Sequence, residues 1–199
     1  MAVEMQLRLS ADFHGHLCPD LVTGYRACKF ALSQLGPELV WAPNSRVIAE
    51  NTGSAIDAIQ RLTRCTIGNG RLETRDCGKH AYAFVNGQGS GLRVVLKGDI
   101  LPSDEELLSL EQRIKANQAT LNEVARYQRR LDSRVAWLLT VPEDAAFAFR
   151  RLFVPQPNYS PTSALAVCAV CGEVAIASHL LTVGDQKVCK ECARTYWEG

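Results

Sequence analysis

Two pairs of cysteines constrain this chain more than any other feature. Cys168-Ala-Val-Cys171 and Cys189-Lys-Glu-Cys192 stand seventeen residues apart, giving C-x2-C-x17-C-x2-C. That spacing reads as a structural zinc site. A two-residue gap lets two thiolates converge on one ion from a tight turn, and two such turns complete a tetrahedron at about 2.3 Å. A closed four-sulfur site has no vacancy for substrate, so its work is folding. Residues 164–199 are too few to bury a core alone, and metal binding of roughly 10–16 kcal/mol would supply what packing lacks. A rubredoxin-like iron site uses the same four ligands, and spacing leaves zinc and iron both open. His179 lies between the pairs and reads as a surface or packing histidine, since four thiols already fill the site.

Charge argues against a nucleic-acid role for this tail. Lys187, Lys190 and Arg194 face Glu173, Asp185, Glu191 and Glu198, a balance that is a poor footprint for phosphates. The whole chain carries a formal net charge of +1, which gives no reason to expect a polyanion partner.

Upstream of the tail the chain reads as an ordinary globular protein. Its 199 residues are 47% hydrophobic and 22% charged, enough apolar mass for a real core. No window approaches the roughly 18 apolar residues of a membrane span. The start, MAVEMQLRLSADFHGH, lacks a basic region followed by an apolar one, so a cytoplasmic protein without a secretory signal is expected. In that setting eight cysteines read as metal or thiol chemistry before disulfides.

Periodicity places the elements. Leu21, Tyr25, Cys28, Leu32 and Leu35 form an apolar stripe that predicts a helix over 19–35, with Pro19 at a first-turn position and Gly36-Pro37 as a stop. Residues 46–50 (RVIAE) read as a strand and 54–64 as a helix, with Ser54 and Asp57 resembling a capping box. AYAFVN (81–86) and LRVVLK (92–97) read as a hairpin across a glycine-rich turn. From Ser103 to Leu139 the pattern is helical, as one long helix or two, and residues 145–153 are expected to continue helically after Pro142. The stretch 103–134 holds six acidic and six basic residues, which read as a solvated face. Three prolines in 155–163 mark a linker. The expectation is therefore an α+β fold: a mixed or antiparallel sheet with packed helices over 1–102, a helical extension over 103–154, a linker over 155–163, and a small zinc-ribbon or treble-clef-like module over 164–199.

The second chemical signal is Phe13-His14-Gly15-His16-Leu17-Cys18-Pro19, two histidines and a cysteine where a helix begins. The positive end of a helix favours thiolate over thiol, so Cys18 reads as a metal ligand or a nucleophile. Cys18 and His16 are the candidate catalytic residues. The bland reading is a capping turn with a buried cysteine.

This segment resembles the FmdE family, named for a component of formylmethanofuran dehydrogenase. The resemblance continues through Leu21 and Gly24-Tyr25-Arg26, Asp57-Ala58-Ile59-Gln60, Cys65-Thr66-Ile67-Gly68, and Gly78-Lys79 with the strand after it. The tail matches the zinc module that many members carry. The resemblance implies an α+β core that forms dimers and a metal-binding, active-site-like cleft. His14, His16, Cys18 and Cys65 are its expected ligands, and Asp57 is expected to orient a histidine, bind the metal or merely cap its helix. Cys28 is expected in the core, Cys77 and His80 are expected to border the cleft without being ligands, and Lys79 reads as an anion contact. Two departures bear on the site: Asp20 replaces a family glycine, and Ser54 replaces a cysteine that many members have. Asp20 would suit the helix dipole or add an oxygen ligand.

Expected cofactors are structural zinc in the tail and a second transition metal in the cleft. Expected partners are a second copy of the chain, with an exchanged tail permitted by the linker, and oxidoreductase subunits of one-carbon or molybdopterin chemistry. No dinucleotide fingerprint, P-loop or iron–sulfur run is present, so the chain is not a redox subunit by itself. The competing class is a non-catalytic, zinc-stabilised interaction subunit, with a DNA-binding regulator a weaker third.

Overall fold

The computed structural model describes residues 4–36, 42–155 and 164–197 and divides the chain into two units, Met1–Gln156 and Pro157–Gly199. The expected linker, 155–163, lies almost wholly outside the described residues.

The first unit is α+β, built on a five-stranded mixed sheet ordered β2-β1-β3-β4-β5. Its strands are β1 (Arg46–Ala49), β2 (Leu72–Thr74), β3 (Ala81–Val85), β4 (Ser90–Leu96) and β5 (Phe147–Phe153). The β1–β2 pair is parallel and the remaining pairs are antiparallel, with β3 and β4 forming the expected hairpin. Val47, Ala49, Tyr82, Phe84, Leu92 and Val94 share one face and join the main core. The other face carries Ile48, Ala83 and Val85, and the partly buried Arg93 there donates to Glu50 at 2.5 and 2.6 Å.

Three helices carry the functional segments: α1 (Met5–His14), α2 (Pro19–Leu35) and α3 (Ala55–Thr63). The central helix is α2. Cys18 is its N-cap, with Sγ accepting from Leu21 N–H at 3.4 Å, and Pro19 opens it, as the sequence suggests. Ten consecutive or near-consecutive residues from Leu21 to Ala31 are buried, so α2 is covered nearly all round rather than along one stripe. Small residues make that possible. Gly24 lets α3 approach so closely that a Cβ there would stand 2.3 Å from Ala55 O. Cys28 is fully buried in this core, and burial pushes its thiol well above the ordinary range.

Residues 103–140 form two helices, α4 (Glu105–Lys115) and α5 (Leu121–Thr140). Asn117, at φ 56°, turns the chain between them. Thr120 and Glu123 close a full capping box on α5, and Asp104 rather than Ser103 caps α4 by accepting from Leu107 N–H. The buried Arg26 of α2 donates to the carbonyls of Leu138 and Val141, satisfying the end of α5. A single turn, α6 (Glu143–Ala146), then leads into β5.

Here the structure corrects the sequence reading: 147–153 is a strand, not a continued helix. Phe147, Phe149, Arg151 and Phe153 alternate, which is period two. Seven residues pair antiparallel with β4 from Leu96↔Phe147 to Ser90↔Phe153. Phe147 and Phe149 pack their rings on Phe30. Ladder bonds and aromatic contacts outweigh the helical propensity of the alanines at 145, 146 and 148.

The second unit has two small hairpins and a helix: β6 (Leu165–Val167) with β7 (Val174–Ile176), β8 (Leu181–Val183) with β9 (Gln186–Val188), and α7 (Lys190–Trp197). Its buried hydrophobic cluster is only Cys168, Val188 and Ala193, with Val183, Cys189 and Cys192 against it. Packing of that size does not hold three elements together by itself.

Candidate metal centres

In the tail the four cysteines converge from two directions. Cys168 and Cys171 sit on the turn after β6, where Gly172 at φ 74° lets its N–H reach Cys168 O at 3.0 Å. Cys189 follows β9, and Cys192 lies in the first turn of α7. The four sulfurs lie within 4.8 Å of one another, the span of a single-ion site.

The thiol chemistry supports a cation at that point. Backbone N–H groups of Cys171 and Cys189 draw Cys168 down to about 6. The neighbouring thiols, Cys189 first, push Cys192 up to about 12. One thiolate forms readily, and its charge then opposes ionisation of its neighbours. A dication removes that conflict by holding all four deprotonated. His179 ends a 3-10 turn, Ala177–His179, and is outside this cluster.

In the first unit a second cluster forms at the junction of α1 and α2. His14 is the last residue of α1, and Gly15, at φ 99°, turns the chain there. This brings His14, His16 and Cys18 together with their ligand atoms inside 4.8 Å. The two imidazole rings lie 4.7 Å apart. His14 Nε2 is 3.9 Å from Cys18 Sγ. Zinc bond lengths of about 2.0–2.1 Å to nitrogen and 2.3 Å to sulfur put tetrahedral partners about 3.6 Å apart, so the pair is within a few tenths of an ångström of ligation.

The third helix fixes His14. Asp57, in its first turn, has Oδ2 at 2.7 Å from His14 Nδ1, which donates to it. With Nδ1–H committed to the carboxylate, Nε2 carries its lone pair toward Cys18. A histidine oriented by a carboxylate on its far nitrogen is a common arrangement around bound metals. Of the three roles open to Asp57 in the sequence, the structure supports orienting a histidine. Gln60, one turn on, ties the helix to the following loop by accepting from Ile67 N–H at 3.1 Å.

The structure does not bring Cys65 to this cluster. Cys65 is 1% exposed and donates to Ser45 O at 3.5 Å. Burial raises its thiol, which disfavours the thiolate a metal needs. The sequence neighbourhood that suggested it, directly after α3, instead points it into the core.

Asp20 is also not an added ligand of the cluster. Its Oδ2 accepts from Ala55 N–H at 3.1 Å and so caps α3, the helix after its own. Its Oδ1 stands 3.3 Å from His80 Nδ1, an ion-pair distance that lacks hydrogen-bond alignment. Ser54, which the sequence marks as the cap, makes no side-chain cap at all. His80 also approaches Tyr82 Oη at 3.2 Å, and Asn51 donates to that hydroxyl and to Lys79 O. Cys77 is exposed in the adjoining loop. Sequence reasoning misses the His80–Asp20 contact, because a pair sixty residues apart leaves no local signal.

The model of the FmdE family, described as "FmdE, Molybdenum formylmethanofuran dehydrogenase operon", matches residues 13–148. The chain belongs to the FmdE family. Among curated proteins, a "Probable S-adenosyl-L-methionine-binding protein" of Archaeoglobus fulgidus is 27% identical over 194 residues. That match covers 94% of this FmdE chain and 52% of the relative, so the chain spans about half of the relative's length. Among solved structures, an FmdE-like protein of Syntrophus aciditrophicus, described as of the tungsten formylmethanofuran dehydrogenase type, aligns with TM-score 0.57 at 21% identity. The alignment covers 92% of this chain and 87% of that one, and it shows a shared fold.

Proposed function

We propose that this FmdE chain is a metal-binding accessory or catalytic-like subunit of formylmethanofuran dehydrogenase or a related molybdopterin-type oxidoreductase. In this reading His14, His16 and Cys18 hold a transition metal with one coordination position open, and Cys168, Cys171, Cys189 and Cys192 hold a structural zinc. The observation that carries it is His14 held between Asp57 and Cys18. A ligand set of two imidazoles and one thiolate, oriented by a carboxylate, resembles open sites more than closed ones.

The residues divide the work as follows. Asp57 keeps the proton on His14 Nδ1 and fixes the ring. Cys18 supplies its sulfur from the end of α2, where the helix favours negative charge. His16, exposed beside them, completes the ligand set from the solvent side. A bound metal would supply Lewis acidity or a lowered pKa for a water on the open position.

Metal content tests this directly. The intact protein should carry two ions per chain, with Cys18→Ala removing one and Cys168→Ser removing the other. One ion per chain, lost entirely with the tail variant, overturns the open-site reading.

One observation favours the interaction-subunit reading for the tail. Leu165, Val167, Val174 and Ile176 face the same side of the β6–β7 hairpin and are exposed, Leu165 by 68% and Val174 by 64%. Paired apolar residues on a bare hairpin face are a protein-contact surface. We assign that surface to assembly, with a homodimer in the cytoplasm as the proposed state. Leu165→Ser/Val174→Ser should retain the tail metal and lose assembly mass in light scattering. An unchanged mass would remove this surface from the assembly.

A further inference from the structure

A hollow of about 630 Å³ lies between residues 99–105 and the outer face of α5, and no residue of the histidine–cysteine cluster lines it. Its volume is within the range of small-molecule pockets. The loop is tethered to the helix at three successive turns. Trp137 Nε1 donates to Ile100 O at 3.0 Å, Arg134 donates to Pro102 O at 2.9 Å, and Arg130 reaches Asp104 Oδ2 at 2.7 Å. The hollow is therefore held open by the protein itself.

Three features define what it would take. Trp137 lines the hollow, is 50% exposed, and has its only polar group committed to Ile100, so its indole is a fixed aromatic wall. The positive charge in the wall faces carboxylates of its own: Arg130 bridges Asp104 and Glu106, and Arg134 donates to Pro102 O and stands 4.0 Å from Asp104 Oδ2. Asp99 and Glu105 also line the hollow, and their carboxylates have no bonding partner among the described residues. The lining thus carries three carboxylates against two guanidiniums, a net negative balance. The acidic groups here are not gathered closely enough to form a metal cluster.

We propose that this hollow binds a planar organic cation, a guanidinium being the best fit. A guanidinium stacks on indole and pairs with carboxylates at the same time, which an ammonium or a metal ion does less well. The group could belong to a free metabolite or to an arginine of a partner peptide, and the chemistry at the hollow is the same for both.

The test follows the Trp137 indole N–H resonance of the full-length protein, assigned with Trp137→Phe. Agmatine is the free-cation probe and a capped pentapeptide, Gly-Gly-Arg-Gly-Gly, is the peptide probe. 1,4-Diaminobutane and indole-3-propionate serve as non-planar and anionic controls. The expected result is a saturable shift with a dissociation constant of about 1 mM or tighter for at least one guanidinium probe. Tighter binding of agmatine identifies a free cation, and tighter binding of the peptide identifies a partner arginine. Asp99→Asn/Glu105→Gln should weaken binding about fivefold or more, because two exposed ion pairs are lost. Both carboxylates are exposed and unpartnered, so this variant should fold normally, as circular dichroism would verify. No saturable shift with either guanidinium probe, equal binding of indole-3-propionate or diaminobutane, or unchanged binding in the double variant overturns the proposal.

Discussion

Replacing Gly24 by alanine separates two physical arguments by sign. Gly24 lies inside α2, where helix propensity alone favours alanine by about 1 kcal/mol. Packing opposes it. A Cβ at this position would stand 2.3 Å from Ala55 O, 2.7 Å from Ala55 Cα and 2.8 Å from the Ala55 carbonyl carbon. All three are backbone atoms, so no rotamer change relieves the contact. The helices must separate by about 1 Å, and overpacking of this kind costs about 1–3 kcal/mol or more. The net expectation is a loss of about 1–2 kcal/mol, which lowers Tm by roughly 2–8 °C in a chain of this size. The displaced turn is also the one that holds Asp57. A comparable shift there breaks a 2.7 Å hydrogen bond to His14 and should weaken metal binding at the first site about tenfold. Calorimetry and competition titration with a chromophoric chelator measure both effects. A Tm equal to or above wild type, with unchanged affinity, would refute the close-approach argument and leave propensity as the better guide.

Asp57→Asn should reduce metal affinity at His14 and Cys18 by about 10–100-fold with little loss of stability, because it removes the anionic partner of His14; an unchanged affinity in the same titration would deny the orienting role. Cys168→Ser or Cys192→Ser should abolish the tail ion and open the tail to proteolysis near residue 165, and retained metal with unchanged cleavage in both would count against a four-thiolate site. Arg93 holds Glu50 below its ordinary value of 4.5, so the pair stabilises the fold above about pH 4.5 and loses that contribution as pH falls through the lowered value. Glu50→Gln should therefore cost about 1–3 kcal/mol by urea unfolding at pH 7 and progressively less below pH 4, and a cost independent of pH would show that shape, not charge, matters there.

The convergence of both candidate ligand clusters was legible in the sequence, because each depends on residues close together in the chain. Cys168-x-x-Cys171 and His14-x-His16-x-Cys18 need only a turn to converge. The central helix and the β3–β4 hairpin were legible for the same reason, from periodicity and a glycine-rich turn. What escaped was set by distant contacts. Helix α1 buries only Leu7 and Ser10 and has no side-chain cap, so its stripe is weak. Strand β2 has three residues and exists by parallel pairing with β1. Strand β5 carries a period-two pattern, but its alanine-rich approach reads as helix until β4 is beside it.

The two departures from the family pattern are best understood together. Asp20 lies in α2 and Ser54 just before α3, and read singly they suggest a gained oxygen ligand and a lost sulfur ligand. In the fold they meet at one place, the start of α3. Asp20 reaches across to cap Ala55 N–H, the task that Ser54 leaves undone. Gly53 is part of the same fit, since a Cβ there would stand 2.4 Å from Asp20 Oδ2. The carboxylate thus anchors the turn that presents Asp57 to His14. This places Asp20 in the support of the proposed metal site and not among its proposed ligands. The three proposed ligands, His14, His16 and Cys18, come from one short segment, and the orientation of His14 depends on α3 being held in place. A site of this kind is tuned by the packing of α2 on α3, which is why a single methyl group at Gly24 should reach the metal.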